Sequence, residues 1–195
     1  MYYAYKYRLK PSDTHRKELD RHRDICRQLY NHTLYRLNEY QDEHGELPSM
    51  ITLRSELPDL KKWWDGLSDV YSKVLQTVVE RLFDNLKSLS KRKGNSYSVG
   101  QLNWKPPRGV PKFHVQPVWL QPRQEGGQTV LSLSLSLSKL ADIPIRLHRA
   151  IPDVHKSDSS CAAHQKSPIS EDDATVKQVT LKEEPTGEWI ATFGV

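Results

Sequence analysis

The hydrophobic period of this chain changes once, near Tyr97, and that change limits its fold more than any other feature. Before it, apolar residues recur every three to four positions; after it, short extended runs alternate with Pro, Gly and Gln. A 3.6-residue period buries one stripe of a helix, whereas a two-residue period buries one face of a sheet. The chain is therefore expected to be α+β, with helices in its first half and strands in its second.

One strand precedes the helices. Tyr2 to Leu9 alternates aromatic or apolar residues with polar ones and closes at Lys10-Pro11. Ser12 and Asp13 can then cap a long amphipathic helix whose stripe runs Leu19, Ile25, Leu29, Leu34 and Leu37, with Cys26 and Tyr30 between, toward Tyr40. Gly45 and Pro48 interrupt this pattern. Ser49 or Thr52 opens a short helical turn expected to stop at Pro58, with a linker carrying Trp63 and Trp64 behind it. Ser68 is the expected cap of a further helix with the stripe Val70, Val74, Leu75, Val78, Leu82, Phe83, Leu86 and Leu89. Lys91-Arg92-Lys93-Gly94 should end it, with cations at the negative end of the dipole and glycine at the cap.

Strands are expected at Asn103 to Lys105, Lys112 to His114, Val118 to Leu120 and Thr129 to Ser138, with Pro144 to Leu147 as an edge. Leucines of the LSLSLSLS run would share one sheet face and its serines the other. Val154 to Asp173 has little to bury and reads as a disordered insertion. Val176 to Leu181 and Glu188 to Phe193 read as two strands joined at Glu184-Pro185-Thr186-Gly187. A strand needing neighbours on both sides then closes the chain at Val195, which suggests that something is missing downstream.

Charge is placed unevenly. The chain carries 29 Lys+Arg against 24 Asp+Glu, but Met1 to Phe113 holds 21 against 14 and the remainder 8 against 10. No acid stands between Asp84 and Glu125, where Lys87, Lys91, Arg92, Lys93, Lys105, Arg108, Lys112 and Arg123 fall. A polyanion is drawn to such a stretch because each cation set against a phosphate releases condensed counterions; the bland alternative is a solvated loop. Aromatic rings interleave with these cations, and bases stack on rings while Lys and Arg hold the backbone. Tyr5, Tyr97 and Trp104 are the stacking candidates, and Lys6, Arg8, Lys91, Arg92, Lys93, Lys105, Arg108 and Lys112 the candidates for phosphate.

No catalytic set emerges. Asp13, Glu18, Asp20 and Asp24 alternate with Arg16, Lys17, Arg21 and Arg23 along one helix, a pattern of intrahelical ion pairs rather than of carboxylates converging on a metal. His15, His22, His32 and His44 lack ligand spacing, and His155, Cys161 and His164 fall in the expected insertion. Two cysteines, Cys26 and Cys161, build neither a disulfide framework nor a zinc knuckle. The charged N-terminus lacks the apolar core of a secretory signal, and no segment approaches the length needed to span a bilayer. A cytoplasmic protein without membrane partners is expected.

Three segments together, YYAYKYRLKP, CRQLYNHTL and GEWIATFGV, resemble the N-terminal half of the TnpB/OrfB proteins of insertion sequences, which are relatives of the type V CRISPR nucleases. The resemblance is continuous from Met1 to about Phe113 and resumes in pieces at Gly127 to Asp153 and Asp173 to Val195. It implies a helical recognition lobe inserted into a wedge-like β-barrel. Residues 1–11 would form the first barrel strand, 12–96 the recognition domain and 97–195 the remaining strands, with an insertion at about 154–173. It also implies guide RNA and duplex DNA as partners. The segment LSDVYSKVLQTVV resembles the family helix that faces the motif flanking the target, with Gln76 at the family's glutamine, Ser72 at a position where some members carry lysine, and Lys73 one place displaced. Gln can bond adenine in bidentate fashion and Lys can hold a phosphate.

The family cuts DNA with three acids and Mg2+ in a RuvC-type domain that begins beyond the strand ending here at Val195. A truncated, non-cleaving product without its own metal or zinc site is therefore expected. After Phe113 the sequence departs from the family: VQPVWLQPRQEGG differs, LSLSLSLS looks expanded and the 154–173 block looks inserted, as in a transposon relic. A helical protein-interaction module, or a regulator competing with a full-length nuclease for guide RNA, is the alternative.

Overall fold

The computed structural model describes residues 4–107, 112–115, 118–125, 128–137, 139–146 and 178–194. It divides into two compact units, Met1–Leu19 with Pro111–Val195, and Asp20–Val110.

The first unit is built on an antiparallel sheet whose strands are β1 (Ala4–Leu9), β2 (Lys112–Val115), β3 (Val118–Glu125), β4 (Gln128–Leu137), β5 (Leu140–Arg146), β6 (Gln178–Glu183) and β7 (Trp189–Gly194). Their order is β2-β6-β7-β1-β5-β4-β3, so among the described residues the sheet is open, with β2 and β3 at its two ends. Alternate residues of four strands, β1, β5, β6 and β7, build its core: Tyr7 and Leu9, Ile143 and Ile145, Val179 and Leu181, and Trp189, Ala191 and Phe193 are all buried. Register brings them onto one face, with Tyr7 opposite Ala191, Leu9 opposite Ile145 and Val179 opposite Phe193. The Tyr7 and Phe193 rings meet edge to face at 5.6 Å. Each large side chain buried here contributes about 1.5–3 kcal/mol.

Pro144 was expected to mark an edge strand; instead β5 lies between β1 and β4. Its carbonyl still accepts from the Lys10 N–H at 2.8 Å, so the missing proline donor costs one ladder bond without ending the pairing. The β6–β7 hairpin closes where the sequence places it, through Gly187 N–H to the Glu184 carbonyl at 2.9 Å, with Gly187 at φ +76°. Asn103 to Lys105 forms no strand. The facing of the LSLSLSLS side chains and the 154–173 insertion lie outside the described residues, as does Leu147.

The helices are α1 (Asp13–His44), α2 (Met50–Ser55), α3 (Leu57–Trp63), α4 (Gly66–Asp69) and α5 (Ser72–Gly94). Ser12 caps α1 in a reciprocal box: its Oγ accepts from the His15 N–H at 3.3 Å, and its own N–H donates to His15 Nδ1 at 3.4 Å. From Leu19 the helix buries Leu19, His22, Ile25, Cys26, Leu29, Tyr30, Thr33, Leu34 and Leu37, spaced as a single stripe. Gly45, at φ +74°, ends it with a bond to the Gln41 carbonyl. The boundary between the two units falls inside this helix.

Four expectations for the middle helices need correction. Pro58 opens rather than closes a helix, because it sits in the first turn of α3, where its missing N–H is no loss. Ser68 lies within α4; the cap of α5 is Tyr71, which provides no side-chain bond. The α5 stripe is Val74, Leu75, Val79 and Leu82, so Val79 takes the deep position assigned to Val78. Gly94 remains helical, and the left-handed residue beyond the end is Ser96, at φ +62°.

Candidate nucleic-acid interface

Ser72, Lys73 and Gln76 occupy the first turns of α5 away from its buried stripe, and side chains of the short helices bond their polar atoms. Arg54 of α2 donates from Nη2 to Gln76 Oε1 at 2.8 Å and from Nη1 to Glu80 at 3.1 Å. Because a guanidinium can only donate, the oxygen of the Gln76 amide must face Arg54, and its NH2 is left as the outward donor. Lys61 of α3 donates to Ser72 Oγ at 2.8 Å, and Lys73 Nζ stands 3.7 Å from Glu80. The result is a small network of Arg54, Lys73, Gln76 and Glu80, with the Lys61–Ser72 pair at the start of the same helix.

The basic candidates form a second place. Lys91, Arg92 and Lys93 are exposed in the last turn of α5, where they oppose the negative end of the helix dipole. At 1.5 Å per residue they lie about 22–26 Å along the axis from Gln76. Behind them, Tyr97 is 61% and Trp104 52% exposed. Lys105 is half-buried, its Nζ 5.4 Å above the Tyr30 ring. Burial, against a hydrogen bond from Asn85, pushes the Tyr30 hydroxyl up.

The remaining candidates belong to the sheet unit. Lys6 and Arg8 are on the exposed face of β1, where Arg8 pairs with Glu188 at 2.9 Å. Tyr5 shares the other face with Tyr7 and Leu9, half-buried and opposite Phe193 in register. Lys112 stands opposite Lys182 in the β2–β6 pairing, and Arg108 lies outside the described residues.

Residues 1–46, which hold β1 and α1, match the family described as the helix-turn-helix domain of IS605-type OrfB proteins. This match supports a likeness of residues 1–46 to the N-terminal region of OrfB/TnpB-type IS605 transposases. The matched description is of a helix-turn-helix domain, a motif type used in DNA binding, and the match includes no catalytic domain. No curated protein matches the chain.

The matched residues hold one strand and one unbroken helix. The turn comes at Gly45 to Ser49, and the next helix, α2, starts beyond the match at Met50. Among the described residues no group of three or more His, Cys, Asp or Glu could hold a metal ion, and no helix is long and apolar enough to cross a membrane. Sequence reasoning missed Arg54, Lys61 and Glu80. Glu80 was visible four residues after Gln76 on the same face; for the other two no local signal exists, because helix pairing is a tertiary fact.

Proposed function

We propose that this chain binds nucleic acid at two places. The polar face of α5, through Ser72, Lys73 and Gln76, meets the duplex DNA that flanks a target. The basic segment from Lys91 to Lys112, with Lys6 and Arg8, holds the phosphates of a guide RNA, with Tyr5, Tyr97 and Trp104 as rings for its bases. On this reading the helices 12–96 form a recognition lobe, and the open sheet stands where the family has a wedge-like barrel.

The observation that carries the reading is the bond from Arg54 to Gln76 Oε1. It fixes the amide before any partner arrives, and a preset amide loses less rotamer freedom on reading a base edge. Oε1 keeps a second lone pair for the adenine N6 amino group while the amide NH2 donates to N7.

Mobility shifts with a duplex library and a structured RNA test both halves. Gln76→Ala should flatten duplex preference at one base position, at about 1–3 kcal/mol of discrimination. Binding of both nucleic acids should weaken steeply with salt. A wild-type chain that shifts neither at low salt refutes the proposal.

A further inference from the structure

Beyond the end of α5, residues 97–106 adopt no regular structure, yet one of them is gripped firmly. Asn31 of α1 accepts from the Lys105 N–H at 2.8 Å through Oδ1 and donates to the Lys105 carbonyl at 3.0 Å through Nδ2. Arg27 donates to the same carbonyl at 3.2 Å and is itself held by Asp24 at 2.7 Å. A carboxamide that pairs with both backbone groups of a single residue does what a neighbouring β-strand would do. Asn and Gln carry a donor and an acceptor on separate atoms of one planar amide, which matches the spacing of a backbone N–H and C=O; ionised Asp cannot donate, and an aliphatic residue can do neither.

The grip has a consequence one residue away. It turns the Lys105 side chain in over Tyr30, while the neighbouring Trp104 ring faces solvent, 52% exposed. A lone exposed ring is ordinary. This one differs because its backbone is anchored next door, and because its own segment carries cations and no acid between Asp84 and Glu125, the one acid of the clamp, Asp24, being paired with Arg27. A fixed ring in a cationic segment is the arrangement on which unpaired bases stack.

We infer that Asn31 is a positioning residue for single-stranded nucleic acid. By clamping Lys105 it holds Trp104 as a stacking platform for an unpaired base, and Arg27 completes the clamp. The ligand is single-stranded because a base inside a duplex has no free face to offer the ring. This rests on the proposal that the basic segment holds RNA, and it adds which residue prepares that segment and which form of nucleic acid it takes.

The test uses the full chain with a fluorescent single-stranded RNA 12-mer and, separately, a 20-bp DNA duplex. Trp104→Ala should weaken single-strand binding about tenfold, with Trp104→Phe close to wild type. Asn31→Ala and Asn31→Asp should each weaken it about three- to tenfold, because either change breaks at least one of the two bonds. Duplex affinity should stay within about twofold in all four variants. Chymotryptic cleavage after Trp104 should accelerate in Asn31→Ala, reporting the released segment. An Asn31→Ala chain that is cleaved faster yet holds the 12-mer as tightly as wild type overturns the inference. So does an unchanged Trp104→Ala, a surface substitution that does not depend on Asn31 variants folding. Wild type that binds duplex but not the 12-mer sinks this inference and leaves the α5 reading standing; wild type that binds neither sinks both.

Discussion

Burial pushes the Cys26 thiol up to about 12 from an ordinary value of 9.0. The folded chain therefore keeps a proton that the unfolded chain releases above pH 9, so this residue's contribution to stability falls as pH rises from 9 toward 12. The slope is at most about 1.4 kcal/mol per pH unit, and Tyr30, whose hydroxyl is also pushed up by burial, acts in the same direction. Urea unfolding at about pH 8, 9.5 and 10.5 should show the decline. Mass spectrometry after iodoacetamide at about pH 8 should find Cys26 unmodified until denaturant is added. At the α5 network, Arg54→Ala removes the donor that orients Gln76; duplex affinity should fall about three- to tenfold with helix content unchanged, measured by fluorescence anisotropy and circular dichroism. Gln76 is named through the family resemblance, and its residue type and helical face agree with that. Arg54 could not be picked out, since nothing in MITLRS says which helix it will lie against.

At the scale of elements, small caps and turns carry testable energies. Ser49 Oγ accepts from the Thr52 N–H at 3.1 Å, so Ser49→Ala should cost about 1 kcal/mol in urea denaturation. Gly187 has open space around its Cα but a φ of +76°, so Gly187→Ala should cost about 1–2 kcal/mol through backbone strain alone. Its carbonyl also accepts from Arg16 at 2.8 Å, and a shifted turn would strain that bond too. Long elements were legible: the stripe from Leu19 to Leu37 repeats often enough to specify α1, and the Pro-Thr-Gly turn marks the last hairpin. Short ones were not. Pro58 is chemically the same residue whether it stops one helix or starts the next, and only the neighbouring Glu56 and Leu57 backbones decide which.

At the scale of the molecule, the two candidate places make different demands on salt. If the last turn of α5 neutralises phosphates, replacing Lys91, Arg92 and Lys93 by Ala should lower the log–log salt slope of RNA binding by about one for each phosphate left without its cation. The same triple change should leave the base preference of Gln76 intact, because about 22–26 Å of helix separates them. Charge asymmetry, which is additive along the chain, could be read directly from composition. Strand order could not: period-2 runs say that strands exist, while the placement of β5 inside the sheet depends on partners far apart in sequence.

Strand order also governs how the protein is made. β1 pairs along its length with β7, Ala4 against Gly194 and Arg8 against Ile190. The first of these strands thus leaves the ribosome long before the strand that completes it, and at 5–20 residues per second the partner arrives about ten to forty seconds later. The Asp20–Val110 helices depend on local pairings and can form during that interval. Until then Tyr5 and Tyr7 wait as an unpaired, aromatic edge, and translation speed through the intervening codons sets how long chaperones must guard it.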